Sequence, residues 1–392
     1  MSTIVQAANM VAPASGGIRT TMRHLADGYA SHGHEVVQVV PGSSDGVTAT
    51  PFGRIVTVRA PEVPGTGYRV IAEPWRVTRL LTRIGPDRLE VHDRMTLRGL
   101  GRWARRAGVP ALVVSHERLD RVVRQWLPAP ARCVVPVERL ADRSNTALAS
   151  SFDTVLCTTA WASEEFERLD VRNLVRVPLG VDLDGFHPAR RDDRLRAELG
   201  VAPGEALLVL ASRLSPEKRP DLAIQALAEL HRRDVRARLV VAGDGAARGS
   251  LERLAADLPV TFLGFVPERA AMSALLATAD AVVAPGPVET FGLSALEALA
   301  SGTPVVAHRG SALREMLTPR CGVAVAGSGW TMADGIEQVL ALDPADRRAA
   351  ARRRAECFPW SGTVCGFLEA HRLPYRFDPS SAAGTSRMLE AA

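Results

Sequence analysis

Apolar residues along this chain gather in short runs, and between the runs they recur at helical spacing. Thr3-Ile4-Val5-Gln6-Ala7-Ala8 predicts a strand, Met22, Leu25, Ala26 and Tyr29 share one face of a helix from Ile18 to Ala30, and Glu35 to Val40 resumes as strand. Strands are expected again at Ile55–Val58, Leu89–His92, Ala111–Ser115, Asp153–Thr158 and Leu174–Val177, with helices near Ala72–Arg83 and Thr96–Ala107. After a charged stretch from Arg190 to Arg196, which reads as a linker, the alternation restarts with strand Ala206–Ala211 and helix Asp221–His231. It continues through Leu239–Ala242, Val260–Leu263, Met272–Ala277 and strand Asp280–Ala284. Strands separated by helices must pair in parallel, so the expected fold class is α/β, with two Rossmann-like doubly wound domains. The expected limits are 1–188 and 189–359, with a helix at about 360–376 and a small, polar, disordered tail over 378–392.

In such sheets ligands bind beyond the carboxyl ends of the strands, which directs attention to six loops. The first strand runs into Gly16-Gly17, and Ala111–Ser115 into His116, an imidazole able to donate or accept a proton near neutral pH. Ala206–Ala211 is followed by Arg213 and Lys218, a planar fork and a point charge suited to a diphosphate. Gly264-Phe265-Val266, after the strand at Val260, is the candidate seat of a nucleotide base, whereas Gly243-Asp244-Gly245 reads equally well as a turn. The fullest signal lies between Ala284 and Val306. There a Pro-Gly-Pro turn leads to a helix predicted over Phe291–Ala300, stopping at Gly302. The amides of Phe291, Gly292 and Leu293 would face a phosphate at the positive end of that helix. Glu289 before it and Glu297 within it would stand roughly 10–12 Å apart along a mostly helical stretch. That spacing suits a hexose and a ribose on either side of a diphosphate. On their own, two glutamates eight positions apart are ordinary solvated helix residues.

Composition narrows the classes. Apolar content of 46% and charged content of 23% belong to a globular protein, and no apolar run approaches a membrane span. No secretory leader is evident, so a cytoplasmic location is expected, with room for a peripheral contact at the inner face of the plasma membrane. Five cysteines without a Cys-x-x-Cys pair point to neither a disulfide framework nor a zinc site. Net charge is +5, and the interval from Arg94 to Arg132 holds nine arginines against Glu117 and Asp120. Two basic amphipathic segments there, one from Leu97 to Ala107 and one from Arg118 to Leu127, could lie against anionic lipid; solvated arginines on helices packed against their own sheet are the plainer account. No nucleic-acid partner is expected. Lys218 is the one lysine among 48 basic residues.

The stretch from Ala284 to Ala300, with the Gly16-Gly17 loop, His116, Arg213 and Lys218, resembles the retaining glycosyltransferases of family four, enzymes of the GT-B type, over nearly the whole chain. The segments Ser15–Thr20, Ser115–Arg121, Val177–Pro188 and Ala284–Ala300 are similar to the actinobacterial GDP-mannose-dependent mannosyltransferases that extend phosphatidylinositol mannosides. The resemblance implies an active site between the two domains and transfer of a hexose, mannose from GDP-mannose, to a lipid-linked or small glycosylated acceptor. It implies catalytic roles for His116, Arg213, Lys218 and Glu289, with Gly16, Gly17, Gly264 to Val266, Phe291 to Leu293 and Glu297 holding the donor. The nucleotide sugar is then a substrate, and no cofactor or metal is required. Two alternatives stay open: a UDP-sugar enzyme with a soluble acceptor such as an aminocyclitol, and a non-catalytic nucleotide-sugar or lipid binder.

Overall fold

The computed structural model describes residues 1–11, 16–63, 67–128 and 134–375, the side chain of Trp126 excepted. The expected tail, Arg132 and Cys133 lie outside the described residues. Two compact units emerge among the described residues, one from residues 1–179 together with 360–375, the other from 180–359.

The first unit is built on an eight-stranded sheet: β1 (Thr3–Ala7), β2 (Glu35–Gly42), β3 (Gly46–Thr50), β4 (Gly53–Arg59), β5 (Arg88–Val91), β6 (Ala111–Ser115), β7 (Thr154–Cys157) and β8 (Leu174–Arg176), in the order β3-β4-β2-β1-β5-β6-β7-β8. Every pairing is parallel except β3 with β4. This antiparallel edge is not legible in the pattern, because β3 faces solvent along nearly all its length and carries no buried alternation. The central strands are buried on both faces, and Val5, Val37, Leu89, Val113 and Val155 join Phe152 and Phe166 in one core. The helix expected from Thr96 begins at Leu100, and Ala107, assigned to its apolar face, is exposed at its last turn.

The helix Trp360–Ala370 is part of this unit. It packs on the first helix, Gly17–Ser31, where a Cβ on Gly28 would lie 2.3 Å from Val364 Cγ2, and His24 stacks on Trp360 with centroids 4.4 Å apart. Thr363 Oγ1 donates to Pro178 O at 2.9 Å, closing the contact beneath it.

The second unit holds a six-stranded parallel sheet of β9 (Ala206–Ala211), β10 (Ala237–Ala242), β11 (Val260–Gly264), β12 (Ala281–Ala284), β13 (Val305–His308) and β14 (Gly322–Val325), in the order β11-β10-β9-β12-β13-β14. Leu208, Leu210, Leu239, Val241, Val283 and Val306 form its core with the buried faces of the helices at Asp221–Arg232 and Gly329–Leu340. Crossing from β9 to β12 reverses the direction in which strands are added, and the β9 and β12 loops therefore diverge around a crevice.

The charged stretch Arg190–Arg196 is not a linker. Asp192 caps the helix Asp193–Glu198 by accepting from Arg194 N, and Arg196 Nη1 pairs with Asp280 Oδ2 at 2.9 Å, so the stretch belongs to the second unit. The division between units falls between Leu179 and Gly180, ahead of the expected limit at residue 188. Among the described residues no helix is long and apolar enough to cross a membrane.

Candidate active site

The loops leaving β9, β10 and β11 are laced together. Ser212 N donates to Ala242 O at 3.1 Å, Leu214 N to Asp244 O at 2.9 Å and Gly243 N to Gly264 O at 2.8 Å. A Cβ on Gly243 would stand 1.9 Å from Ser212 O and one on Gly245 2.4 Å from Leu214 O. The Gly243-Asp244-Gly245 segment therefore serves the packing of the Arg213 loop, which answers its ambiguity in the sequence. Phe265 at the end of β11 is half-exposed beside Val266.

Arg213 leaves this framework about half-exposed, with Nη2 3.4 Å from Glu217 Oε1. A single 3₁₀ turn, Pro216–Lys218, then brings Lys218 back over the crevice, and Arg219 takes φ +49° to redirect the chain into the helix at Asp221. Lys218 Nζ forms an ion pair with Glu289 Oε1. That pair joins the β9 loop to the β12 loop across the switch point. Ala312 N fixes the backbone of Glu289 by donating to its carbonyl at 2.9 Å. Ser212, Lys218, Gly286, Glu289, Gly292 and Ser294 line the crevice between these loops.

The helix after Glu289 starts later than its sequence suggests, at Leu293. Gly292 is its N-cap at φ +81°, ψ +65°, and a Cβ there would meet Leu313 Cδ2 at 2.4 Å, so glycine is required by the chain itself. Phe291 precedes the helix and is buried, its ring edge-on to Phe358 with centroids 6.5 Å apart. The expectation is corrected for Phe291 alone. The amides that open the helix are those of Gly292, its N-cap, Leu293 and Ser294, while Phe291 anchors the turn through its side chain. Glu297 then sits just over one turn into the helix. Burial pushes its carboxyl up to about 7; Arg269 opposes that rise and Asp182 reinforces it. Arg269 Nη2 is itself 3.1 Å from Asp182 Oδ2. Arg269 carried no sequence signal, and Asp182, though inside the Val177–Pro188 segment, was not singled out, since each is an ordinary charged residue until the fold places it near Glu297.

In the first unit, Gly16 and Gly17 open the helix Gly17–Ser31, and among the described residues a Cβ on either would meet nothing within 4 Å. Packing among the described residues thus gives no reason for glycine there. His116 follows β6 on a segment clamped by buried ion pairs. Arg94 Nη1 donates to Ser115 Oγ and to Glu117 O, each at 2.8 Å, and pairs with Glu165, whose carboxylate accepts from Leu119 N. Arg118 pairs with Asp120 at 2.8 Å and with Glu164, over the ring of Trp161. Two of the nine arginines in the basic interval, Arg94 and Arg118, are therefore buried and structural, which corrects their assignment to a lipid-facing surface. Arg98, Arg102, Arg105, Arg106, Arg121 and Arg124 are exposed.

His116 is itself paired, with Nε2 2.8 Å from His92 Nδ1. His92 and the glutamate behind it, Glu90, were missed by sequence reasoning. The available signal was a Glu and a His in a strand whose other residues are apolar and buried. Burial and the neighbouring His92 push the His116 imidazole down to about 3, against the pull of Glu90.

Comparison with known proteins covers both units. Residues 191–356 match the family model described as glycosyl transferases group 1, and residues 16–180 match the glycosyl transferase 4-like domain. Over 367 residues the chain is 45% identical to a GDP-mannose-dependent alpha-(1-6)-phosphatidylinositol dimannoside mannosyltransferase of Mycobacterium tuberculosis, covering 93% of this chain and 94% of that one. It is 35% identical over 301 residues to a D-inositol 3-phosphate glycosyltransferase of Frankia alni, covering 71% and 72%. Among solved structures, sucrose-phosphate synthase from Thermosynechococcus elongatus superimposes with a TM-score of 0.78 at 21% identity, over 95% of this chain and 98% of that one.

Proposed function

Since the chain belongs to the group 1 glycosyltransferases, with a 4-like N-terminal domain and the two parallel-sheet α/β domains of the GT-B class, we propose that it transfers mannose from GDP-mannose to a hydroxyl of a phosphatidylinositol mannoside, with retention at the anomeric carbon. The observation that carries this reading is 45% identity across 93% of the chain to a mannosyltransferase of that description. The residues supply a consistent chemistry. Departure of GDP leaves negative charge on the diphosphate, which Arg213, Lys218 and the amides of Leu293 and Ser294 stabilise, so no divalent metal is needed. Glu289, coupled to Lys218, takes hydroxyls of the mannose; Glu297 takes the ribose, and Gly264 to Val266 the base. His116 and the Gly16-Gly17 loop are assigned to the sugar on the family resemblance.

The relative from Frankia alni favours a second reading, in which the acceptor is a water-soluble inositol phosphate. Its lower identity and coverage place it second. A thermal-shift screen with GDP, UDP, ADP and dTDP and their sugars tests the donor, because a ligand at a hundredfold its Kd adds about 2.7 kcal/mol to the native state. Stabilisation by GDP and GDP-mannose alone supports the proposal; selective stabilisation by a UDP-sugar overturns its donor. Turnover with phosphatidylinositol dimannoside against D-inositol 3-phosphate then separates the acceptors.

A further inference from the structure

Behind His116 lies a buried chain of polar groups that the proposed reaction does not yet use. Glu90, on β5, is fully buried, and both of its oxygens are occupied. Oε1 lies 2.7 Å from Gln6 Nε2 and 2.6 Å from His92 Nε2, while Oε2 lies 2.7 Å from the Tyr29 hydroxyl and 3.0 Å from His371 Nε2. The orientation of Gln6 is fixed in turn. Its Oε1 accepts from Gln38 Nε2 at 2.9 Å, and the same Gln38 nitrogen donates to Met22 O at 3.1 Å, so the Gln6 amide nitrogen must face Glu90. With the Gln6 amide donating to Oε1 and the carboxyl held in its ionised form, the Tyr29 hydroxyl and the two histidine nitrogens that face it are donors. His371 and His92 accordingly hold the Glu90 carboxyl well below its usual range despite its burial, and Tyr29, pushed up by burial and by Glu90, stays a neutral donor.

That arrangement sets the protons further along. Facing a carboxylate, His92 Nε2 carries hydrogen. In the neutral ring Nδ1 is then bare and can only accept from His116 Nε2 across 2.8 Å, with the two rings within 19° of parallel. His116 is left with a bare Nδ1. A proton added to His92 reverses this: His92 Nδ1–H donates to His116 Nε2, and His116 Nδ1 becomes the protonated nitrogen without His116 itself gaining charge.

We propose that Glu90 and His92 are positioning residues that hold His116 as a hydrogen-bond acceptor at Nδ1, and that one proton taken up by His92 turns that acceptor into a donor. The function of this device rests on His116 facing the sugar, as in the proposed reaction, where a bare Nδ1 accepts from a hexose hydroxyl and a protonated one cannot. Activity therefore falls on the acid side with the uptake of a single proton, whose apparent pKa belongs to the pair. The groups facing that pair are Glu90 and, around Glu90, Tyr29 from the first helix and His371 beyond the last one.

The decisive measurement is a nitrogen-15 spectrum of histidine-labelled protein, with His116→Gln to assign its resonances. At pH 8 His116 is expected to show a protonated Nε2 and a bare Nδ1; the opposite tautomer overturns the proposal whatever the enzyme's substrate. In kinetics, His92→Gln keeps a donor for Glu90 but removes the nitrogen facing His116, and should lower kcat/KM by about tenfold to a hundredfold. His92→Asn puts an amide oxygen where Nδ1 stood, so it should recover part of that loss and show no acid limb. Glu90→Gln should move the limb to lower pH by about a unit or more; if that variant does not fold, the spectrum and the His92 pair decide. Wild-type kcat/KM and an unchanged acid limb in His92→Gln would refute the relay while His116→Ala still abolished turnover. Full activity in His116→Ala would instead remove His116 from the site and leave the tautomer to the spectrum.

Discussion

Replacing Glu297 by Gln should stabilise the protein in alkali and leave it almost unchanged in acid. Burial, partly offset by Arg269 and reinforced by Asp182, raises this carboxyl from about 4.5 to about 7. The folded state therefore holds a proton that the unfolded state releases between those two values. The associated stabilisation is complete below pH 4.5 and disappears as pH rises through 7. By about pH 8.5 the ionised carboxylate carries a cost of up to about 3 kcal/mol, since each pH unit between the unfolded and folded values corresponds to about 1.4 kcal/mol. Gln keeps the shape and never ionises, so it avoids that cost. For a unit of this size about 1 kcal/mol corresponds to roughly 2–4 °C in melting temperature, so Glu297→Gln should melt several degrees higher at pH 8.5 and within about a degree of the parent at pH 5. Calorimetry at the two pH values tests it. A variant that melts below the parent at pH 8.5, or by the same margin at both, would refute the desolvation of the Glu297 carboxyl.

If the half-exposed Arg213 stabilises the departing diphosphate, as in the proposed reaction, Arg213→Ala should lower turnover by about 10²-fold or more while changing stability little; a rate equal to wild type removes that role. Gly292→Ala combines a left-handed backbone with a clash against Leu313 and should destabilise by about 2–4 kcal/mol, read by denaturant unfolding; a neutral effect would contradict the turn geometry. On the proposed reaction, in which Arg213 and Lys218 neutralise the leaving group, turnover should survive a chelator; its loss would require a metal. Through the six exposed arginines from Arg98 to Arg124 the protein should sediment with phosphatidylinositol-containing vesicles at low salt and release as salt rises. No binding at low salt ends that expectation.

Periodicity and turn chemistry are local, so most of the strands and helices, two parallel sheets and the loops at their carboxyl ends could be read directly from residue order. Ala111–Ser115 and Ala206–Ala211 coincide with the observed strands. Lys218 and Glu289 were legible for the same reason, each lying in a loop beyond a strand whose pattern was plain; that they meet in an ion pair was not, since 71 residues separate them. What only the tertiary structure decided was the state of polar groups that become buried. In sequence Arg94 and Arg118 are two more arginines of a basic stretch; their partners Glu165 and Glu164 come from the helix Ala160–Glu167, some 46 to 71 residues further on, and turn them into clamps for the His116 segment. Glu90 draws on Gln6, 84 residues before it, and on His371, 281 residues after it. A buried charge is tolerated only when its hydrogen bonds are filled, and nothing in the neighbourhood of Glu90 along the chain announces partners so distant. Likewise the protonation of Glu297 depends on how far water is excluded around it, a property of the folded surface that no spacing of residues encodes.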